Sequence, residues 1–332
     1  MLADDECAIW NGLGYCRNDQ SLIDHIDDDV CVPRNCLYSE VTEVNIDVHS
    51  ILSGKPKPFA SNVKCPVPKG GQTSITDSKA IPIVSFVFTM HNNGAMVSAA
   101  LLETFKTAHE VESAEFIIVD DGTSDSSNIE LENLVNKLKT LFNTKIILIR
   151  HEASIGYGAS INMGLKASRT EFSVLLSADV MVHPGWLTML MYTMRTSPLN
   201  VGMVGPLMIG RDGKVFEAGG LLQEGGVPAN MFRSLRPLQL TQYNARVVDY
   251  ISAACVLIRR QVFLDMGLFD PTFEPAYYED TDAALTMMEG GYNVMLNPLA
   301  VATHYEGGSY GTSTLKQNLM DKNQVAFADK HK

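Results

Sequence analysis

The sequence lacks any apolar run long enough to span a bilayer, and residues 1–30 lack the basic segment and apolar core of a signal peptide. We therefore expect either a cytoplasmic protein or one whose targeting segment lies outside this sequence. A basic excess is also missing, because 26 lysines and arginines stand against 38 aspartates and glutamates, a formal net charge of −12. Such a chain has no generic attraction for nucleic acid or anionic lipid. A phosphorylated ligand would need local basic groups or a metal ion.

Cysteine is nearly absent from most of the chain. Cys255 is the only one after residue 66, and its apolar surroundings, "ISAACVLI", predict a buried thiol. Five cysteines in the leading segment favour disulfides and an oxidising compartment, such as the lumen of the secretory pathway. A zinc site or reduced cysteines in a cytosolic protein are the alternatives, although no pair has the two-residue spacing of a zinc knuckle. These five are Cys7, Cys16, Cys31, Cys36 and Cys65.

Two regimes follow each other along the 332 residues. Residues 1–80 are polar and irregular, which predicts an extension and linker rather than a packed domain. From Ile81 onward, apolar runs such as "IPIVSFVFT", "EFIIVDD", "KIILIRH" and "EFSVLLSAD" alternate with segments of helical spacing. Strands that alternate with helices predict an α/β fold with a mostly parallel central sheet flanked by helices.

Polar side chains stand where the predicted strands end. Thr89 and His91 follow the first strand, Asp120 and Asp121 end the second, and Asp179 ends the fourth. Ligands of open parallel sheets bind beyond the carboxyl ends of the strands. We therefore expect these groups to converge on one crevice. A plain Asp-Asp-Gly turn is the alternative for the second strand, since both residue types are common in turns.

The ordered set of motifs resembles the family 2 glycosyltransferases, which have the GT-A fold and use nucleotide sugars. "FVFTMHN" stands at the family's first strand, and "IIVDDGTSD" matches its Asp-Asp-Gly-Ser strand end. "SIGYGASINMGLKAS" matches its Gly- and Asn-containing segment, and the stretch from "SAACVLIRR" to "THYEGGS" matches its acceptor-side half. The resemblance implies a GT-A domain over 81–312, with a nucleotide-binding half, 81–180, an acceptor half, 181–312, and a tail, 313–332.

The resemblance also implies a reaction, in which an acceptor hydroxyl attacks the anomeric carbon of a nucleotide sugar with inversion. It places the family's catalytic carboxylate at Asp280 in "YYEDTDAAL" and leaves Glu279 to orient the acceptor or the loop. Acidic residues in a first helical turn also favour the helix dipole. We therefore expect one acid among Glu279, Asp280 and Asp282 to do only that.

The metal site implied by the resemblance lies in "LLSADVMVHPGW", where Asp179 keeps the last aspartate of the family's Asp-x-Asp pattern and Ser177 replaces the first. A carboxylate that caps the next turn is the alternative for Asp179. His304 in "VATHYEGGS" is the second candidate ligand, with a packed core histidine as the alternative. Oxygen-rich sites suit Mn²⁺ or Mg²⁺, and an imidazole ligand suits Mn²⁺.

The nucleotide is assigned to Thr89, His91 and Asp121, with Asp120 either joining them or holding the turn. Gly158 and Asn162, in the next segment, complete the predicted nucleotide site, where glycine permits close approach. The expected donor is a UDP, GDP or dTDP sugar, and the expected acceptor is a glycan, a glycoconjugate or a protein.

Two other functions remain open at this stage. A nucleotidyltransferase that forms sugar nucleotides would bring a basic loop after the first strand, whereas "TMHNNGAMVS" contains no basic residue. A non-catalytic carbohydrate- or protein-binding module would not need Asp121, Asp179, Asp280 and His304 together.

Overall fold

The computed structural model describes residues 83–92, 94–107, 114–142, 145–237, 240, 243–305 and 314–331. The leading extension lies outside these residues, so the disulfides predicted for its five cysteines stay a prediction. The described residues fall within one compact unit, Ala80–Lys332.

The first half of the described chain alternates strands and helices, as the periodicity predicts. Its apolar runs form strands that are almost wholly buried, because helices cover both faces of the sheet. The elements are β1 (Val84–Met90), α1 (Gly94–Thr107), β2 (Ala114–Asp120), α2 (Ser127–Phe142), β3 (Lys145–Arg150), α3 (Tyr157–Ala167) and β4 (Phe172–Ser177).

The second half is richer in short strands. The glycine-rich segment around residues 219–239 contains a two-stranded hairpin, β8–β9, and the tail after residue 313 contains a long helix, α7. The elements are β5 (Val180–Val182), α4 (Trp186–Thr196), β6 (Val201–Gly210), β7 (Val215–Glu217), β8 (Gly220–Gln223), β9 (Val227–Asn230), β10 (Arg246–Val247), β11 (Cys255–Arg259), α5 (Arg260–Asp265), α6 (Glu279–Glu289), β12 (Asn293–His304) and α7 (Thr314–Lys330).

One large sheet positions the candidate site. Its strand order is β10-β12-β6-β11-β4-β1-β2-β3. Strands β4, β1, β2 and β3 are parallel neighbours, β6 and β12 form a second parallel pair, and antiparallel β11 joins the two sets. The carboxyl ends of these parallel strands bring the polar residues of the motifs to one edge, as predicted.

The core lies between this sheet and its helices. Trp186, at the start of α4, is fully buried, tilted against Phe86, and its indole N–H donates to Oγ1 of Thr107 at 3.0 Å. Burying one such side chain contributes roughly 1.5–3 kcal/mol. Cys255 is a buried free thiol, as its apolar run predicts. None of the helices within the described ranges has the length and apolar character needed to cross a membrane.

Candidate active site

The carboxyl ends of β1, β2 and β4 lie side by side. Thr89 stands opposite Val119 on β2 and Ser177 on β4, and it is nearly buried. His91 follows β1 and is exposed, with its Nδ1 2.7 Å from the carbonyl oxygen of Asp121. Because a carbonyl only accepts, Nδ1 carries the hydrogen, and Nε2 is the acceptor of the neutral ring.

Asp120 is fully buried and holds the turn after β2. Its Oδ1 accepts a hydrogen bond from the backbone N–H of Thr123 at 2.9 Å, and its Oδ2 accepts one from Nε of Arg150 at 2.8 Å. The same hydrogen bond raises the pKa of Arg150. The sequence leaves two roles open for Asp120, contact with the nucleotide and stabilisation of the turn. The observed contacts are those of a residue that stabilises the turn.

Asp121 ties β2 to the glycine-containing segment before α3. Its Oδ2 accepts from Oγ of Ser154 at 2.7 Å and from N–H of Gly156 at 3.2 Å, and its Oδ1 accepts from N–H of Ile155 at 2.7 Å. A Cβ on Gly122, at φ +71°, would lie 2.4 Å from the backbone nitrogen of Ser154. The Asp-Asp-Gly sequence therefore docks a loop onto the sheet edge, and only glycine permits the close approach.

The first turns of α3 pack against the loop before α6. The side-chain amide of Asn162 donates to the carbonyl of Phe269 at 2.8 Å and accepts from its N–H at 3.0 Å. Oε1 of Glu274 accepts from N–H of Ala159 at 2.6 Å, and a Cβ on Gly158 would lie 3.0 Å from that oxygen. The observed contacts of Gly158 and Asn162 are thus with protein, and their contact with a nucleotide stays a prediction.

Tyr157 lies among the acidic residues of the site, although the sequence analysis did not single it out. Its hydroxyl donates to the carbonyl of Ala253 at 2.7 Å. Burial raises the pKa of Tyr157 well above its ordinary value, and the charges of Glu279, Asp280 and Asp179 raise it further. The phenol therefore stays protonated. The sequence signal that could have identified Tyr157 is its position between two glycines at the start of a predicted helix.

Asp179 and His304 stand beside each other, and the sheet holds them there. Strand β5 pairs with β12 so that His304 lies opposite Val180, and N–H of Tyr305 donates to the carbonyl of Asp179 at 2.9 Å. Oδ1 of Asp179 is 3.5 Å from Nε2 of His304. The two side chains keep 17% and 13% of their surface exposed, respectively, so a small ligand can reach both.

This pair fits a divalent cation. Adjacent ligands of an octahedral ion with bonds of about 2.1 Å lie about 3 Å apart, close to the observed separation. Nδ1 of His304 is buried without a hydrogen-bond partner, so the polar edge that the ring offers to the site is Nε2. Within the described ranges, no cluster of three or more His, Cys, Asp or Glu side chains is suited to a metal ion. An ion between Asp179 and His304 would therefore need further ligands from water or substrate.

Glu279 and Asp280 begin α6 after an unusual turn. Tyr277 and Tyr278 both adopt left-handed backbone angles, with φ of 75° and 74°, a strained arrangement for non-glycine residues. Asp280 is half-buried; its Oδ1 accepts from N–H of Thr281 at 2.7 Å. Glu279 is more deeply buried, and its Oε2 has no hydrogen-bond partner.

Burial makes both of these carboxylates better bases. It raises the pKa of Asp280, against the opposing effect of the N–H groups of Thr281 and Ala253. It also raises the pKa of Glu279, where the charge of Asp280 adds to the effect. The more accessible Asp280 is better placed to take a proton from a bound molecule.

Asp282, the third acid in the first turn of α6, contacts two basic side chains, so it does more than favour the helix dipole. Its carboxylate contacts Nζ of Lys330 at 2.8 Å and Nε2 of His331 at 2.8 Å, both at the end of α7. The amide of Asn323, also on α7, is fully buried and donates to three carbonyls of the preceding loop. These belong to Phe273, Ala276 and Tyr277, at 3.0, 3.0 and 2.9 Å.

Glu217 is a further acidic residue of the site that sequence reasoning missed. It ends β7, is buried, and accepts from N–H of Ser252 at 3.0 Å through Oε1. Burial raises the pKa of Glu217 to about 7, Asp280 raises it as well, and His304 and Arg233 lower it. These charges place Glu217 near both Asp280 and His304. The only sequence signal was an acid at the end of a short apolar run, "KVFEAGG".

The chain is similar in sequence to known proteins. The model of the family described as "Glycosyl transferase family 2" matches residues 85–267. A pre-mycofactocin glycosyltransferase of Mycobacterium tuberculosis is 29% identical over 194 residues, which cover 57% of this chain and 37% of that protein. The chain spans between a quarter and two fifths of the length of the first curated relatives that it matches.

Solved structures share the fold. The crystal structure of GalNAc-T7 with UDP, GalNAc and Mn²⁺ aligns with 76% of this chain and 48% of its own, with a TM-score of 0.57 and 18% identity. The mannosyltransferase PcManGT of Pyrobaculum calidifontis, in complex with GDP-Man and Mn²⁺, aligns with 70% of this chain and 59% of its own, with a TM-score of 0.52 and 14% identity. The predicted GT-A fold is confirmed by these likenesses.

Proposed function

The chain belongs to glycosyl transferase family 2, and from this premise we propose that it is a metal-dependent, inverting glycosyltransferase. It moves a sugar from a nucleotide-sugar donor to a hydroxyl group of a glycan, glycoconjugate or protein acceptor. One observation carries the proposal: the Asp179–His304 pair, with 3.5 Å between carboxylate oxygen and imidazole nitrogen, shares the sheet edge with the basic carboxylate of Asp280.

The donor nucleotide is assigned to the ends of β1 and β2. Thr89 and His91 supply a hydroxyl group and a ring nitrogen at this edge. Three donors already occupy the carboxylate of Asp121, which leaves about one acceptor position for an imide N–H or a ribose hydroxyl. The observed role of Asp121 is to fix the loop, and contact with the nucleotide is an additional role.

Asp179 and His304 would hold a Mn²⁺ or Mg²⁺ ion through Oδ1 and Nε2. When bound, such an ion supplies positive charge that stabilises the leaving diphosphate as a Lewis acid. The support comes from the ligand chemistry of the pair and from the two solved structures of the same fold, which contain Mn²⁺. The positions of the two side chains are set by the β5–β12 ladder, so a metal would not need to organise them.

Asp280 is assigned as the general base. The acceptor oxygen forms a bond to the anomeric carbon while the bond from that carbon to the diphosphate oxygen breaks. The acceptor proton passes to the carboxylate of Asp280, and the nucleoside diphosphate leaves with the bonding electrons. One displacement of this kind inverts the anomeric centre. Because ionisation of Asp280 is required, activity should fall as pH decreases through its raised pKa.

A binding and turnover panel tests the proposal. The purified chain is incubated with UDP, GDP and dTDP sugars, with Mn²⁺ and with excess chelator, and both thermal stabilisation and nucleotide release are measured. At least one nucleotide sugar should raise the melting temperature with Mn²⁺ present, since a ligand that binds only the folded state stabilises it. Asp179→Asn and His304→Gln should each lose this metal-dependent shift. Full turnover after confirmed metal removal would exclude metal dependence, and a panel without any binding would exclude the function.

A further inference from the structure

Two arginines stand beside the Asp179–His304 pair. Strand β6 runs parallel to β12 so that Gly210 lies opposite His304, and Arg211 and Tyr305 are the next residues of the two strands. The guanidinium carbon of Arg211 is 5.7 Å from the centre of the Tyr305 ring. The positive charge of Arg211 therefore lies at the same strand ends as His304.

Arg233 reaches the same place from the turn after β9. Its guanidinium carbon lies 4.3 Å above the ring of Phe216, and that ring packs edge-on against His304, with 4.7 Å between ring centres. Stacking on an aromatic face stabilises and orients a guanidinium group. The side chain is exposed, yet its position is tied through Phe216 to the candidate metal ligand.

The backbone that carries Arg233 is held in an unusual shape. Phe232 and Ser234, on either side of it, have φ of 59° and 72°, in the left-handed region. Hydrogen bonds fasten the turn to β7, because N–H of Ser234 donates to Val215 at 2.8 Å and Val215 donates to Leu235 at 2.7 Å. The turn thus presents Arg233 at a fixed place, at the cost of local strain.

Arg211 and Arg233 are positive charges beside a site that is otherwise acidic. The chain has a formal net charge of −12, and the neighbouring site contains Asp179, Glu217 and Asp280. The nearest opposite charge on the β6–β7 turn, Asp212, contacts Lys214 at 3.5 Å. Two guanidinium groups beside a carboxylate-rich site would supply the local positive charge that a phosphorylated ligand requires in an acidic protein.

We propose that Arg211 and Arg233 form a phosphate-binding pair beside Asp179 and His304, which takes a phosphate or diphosphate group of a substrate. Guanidinium groups bind phosphate oxygens through two parallel N–H donors, and the planar fork suits this geometry. The identity of the bound group rests on the proposed function, whereas the binding of phosphate by this pair does not.

Two substrates of the proposed reaction carry a phosphate group that this pair can take: the donor, through its diphosphate, and a phosphorylated acceptor. The donor nucleotide is assigned to the ends of β1 and β2, and β4 and β11 separate these strands from β6, whose end carries Arg211. The diphosphate is the part of the donor that would reach the arginines from those strands, whereas a phosphorylated acceptor would not need to contact β1 or β2. The binding measurements below separate these two sources.

Inorganic pyrophosphate is the probe for the first measurement. Its affinity is measured by calorimetry in metal-free buffer for the wild-type chain, for the double variant Arg211→Gln/Arg233→Gln, and for Arg195→Gln. Arg195 is a matched control, because its guanidinium carbon lies 5.4 Å from the ring of Phe172 at the opposite edge of the sheet. We expect the double variant to lose about tenfold or more in affinity, as fits the loss of charged hydrogen bonds, and Arg195→Gln to lose little.

The second measurement identifies the source. UDP and GDP are titrated in the presence of Mn²⁺ into the same three proteins. Unchanged nucleotide affinity in the double variant assigns the pair to a phosphorylated acceptor, and weakened affinity assigns it to the donor diphosphate. Pyrophosphate that fails to bind the wild type, or that binds the double variant equally well, overturns the proposal. Wild-type protein that binds pyrophosphate and no nucleotide would instead overturn the proposed function alone.

Discussion

The two sides of the sheet edge treat their carboxylates differently. On the side assigned to the nucleotide, Asp120 accepts two hydrogen bonds and Asp121 accepts three, and these bonds hold the turn and the loop before α3. On the side assigned to the acceptor, burial raises the pKa of Glu217, Glu279 and Asp280, even though Asp280 accepts hydrogen bonds from Thr281 and Ala253, and Glu279 keeps a buried oxygen without a partner. Carboxylates of the first kind fix loops in place, whereas those whose burial outweighs their hydrogen bonds are basic enough to take protons.

Replacement of Asp280 tests the acceptor side and should have the largest effect. Asp280→Asn keeps the shape and an acceptor oxygen but removes the basicity, so we expect turnover to fall by about 10²–10⁴, as is typical when a general base is lost. Donor affinity should hardly change, because the donor contacts are assigned elsewhere. Steady-state kinetics with the correct acceptor and calorimetry with the donor measure the two quantities.

Glu279→Gln is the control for this substitution. We expect a smaller loss of turnover from it, because Glu279 is more buried than Asp280. Circular dichroism on both variants separates loss of catalysis from loss of folding. If Asp280→Asn transferred the sugar at a normal rate and Glu279→Gln did not, Glu279 would be the base instead of Asp280.

Glu217 provides a test based on stability. Its pKa is about 7 in the folded protein against an ordinary value of 4.5, so between these values the folded state keeps a proton that the unfolded chain releases. The free energy of unfolding should therefore fall as pH rises through this range. The loss that Glu217 causes should reach about 3 kcal/mol at the upper end of the range. Glu217→Gln cannot ionise and should remove this contribution.

Urea unfolding at pH 5 and pH 8 measures the difference. The wild type should lose more stability than Glu217→Gln over this interval, while Glu224→Gln, at an exposed position of the β8–β9 hairpin, should behave like the wild type. Equal pH dependence in the wild type and Glu217→Gln would mean that Glu217 is already ionised in the folded protein.

Asp121→Asn tests the nucleotide side. The new amide group turns a donor toward N–H and O–H groups that already need an acceptor, so part of the loop loses its hydrogen bonds. We expect the free energy of unfolding to fall by about 1–3 kcal/mol, measured by urea unfolding at neutral pH. A variant as stable as the wild type that lost only donor affinity would show that Asp121 binds the nucleotide and does not hold the loop.

The smallest effect is expected at the contact between α7 and α6. Nζ of Lys330 lies 2.7 Å from Asp270 and 2.8 Å from Asp282, but the lysine is more than one third exposed. Lys330→Met should therefore cost only about 0.5–1 kcal/mol of stability. Addition of 1 M NaCl should shrink the difference from the wild type, because salt screens exposed charges. A difference that is insensitive to salt would point to packing instead.

The strand and helix order of the first half could be predicted from the sequence, because apolar periodicity is a local signal. The convergence of Thr89, Asp121 and Asp179 on one edge followed from the same pattern, since neighbouring parallel strands end together. The contacts of Glu217 and Tyr157 could not be predicted in this way. Both depend on the segment around Ala253, which is distant in sequence and is placed by the antiparallel strand β11.

The partners of individual side chains were the least predictable feature. Asn162 was assigned to the nucleotide because of its segment, yet its amide makes a matched pair of hydrogen bonds with Phe269, 107 residues later. The glycine-rich segment before residue 240 contains the β8–β9 hairpin, because cross-strand hydrogen bonds pair its two strands. Such pairings arise from the fold as a whole.

The amide of Asn323 has a consequence for the order in which the protein is made. It supports the Tyr277 carbonyl and the left-handed turn before Glu279 from a helix that is synthesised about 45 residues later. A ribosome adds roughly 5–20 residues per second, so for several seconds a nascent chain holds all the assigned acids without this support. The hydrogen bonds of Asn323 to this turn can form only after α7 has been synthesised. The acidic residues of this site are therefore synthesised well before the helix that supports the turn beside them.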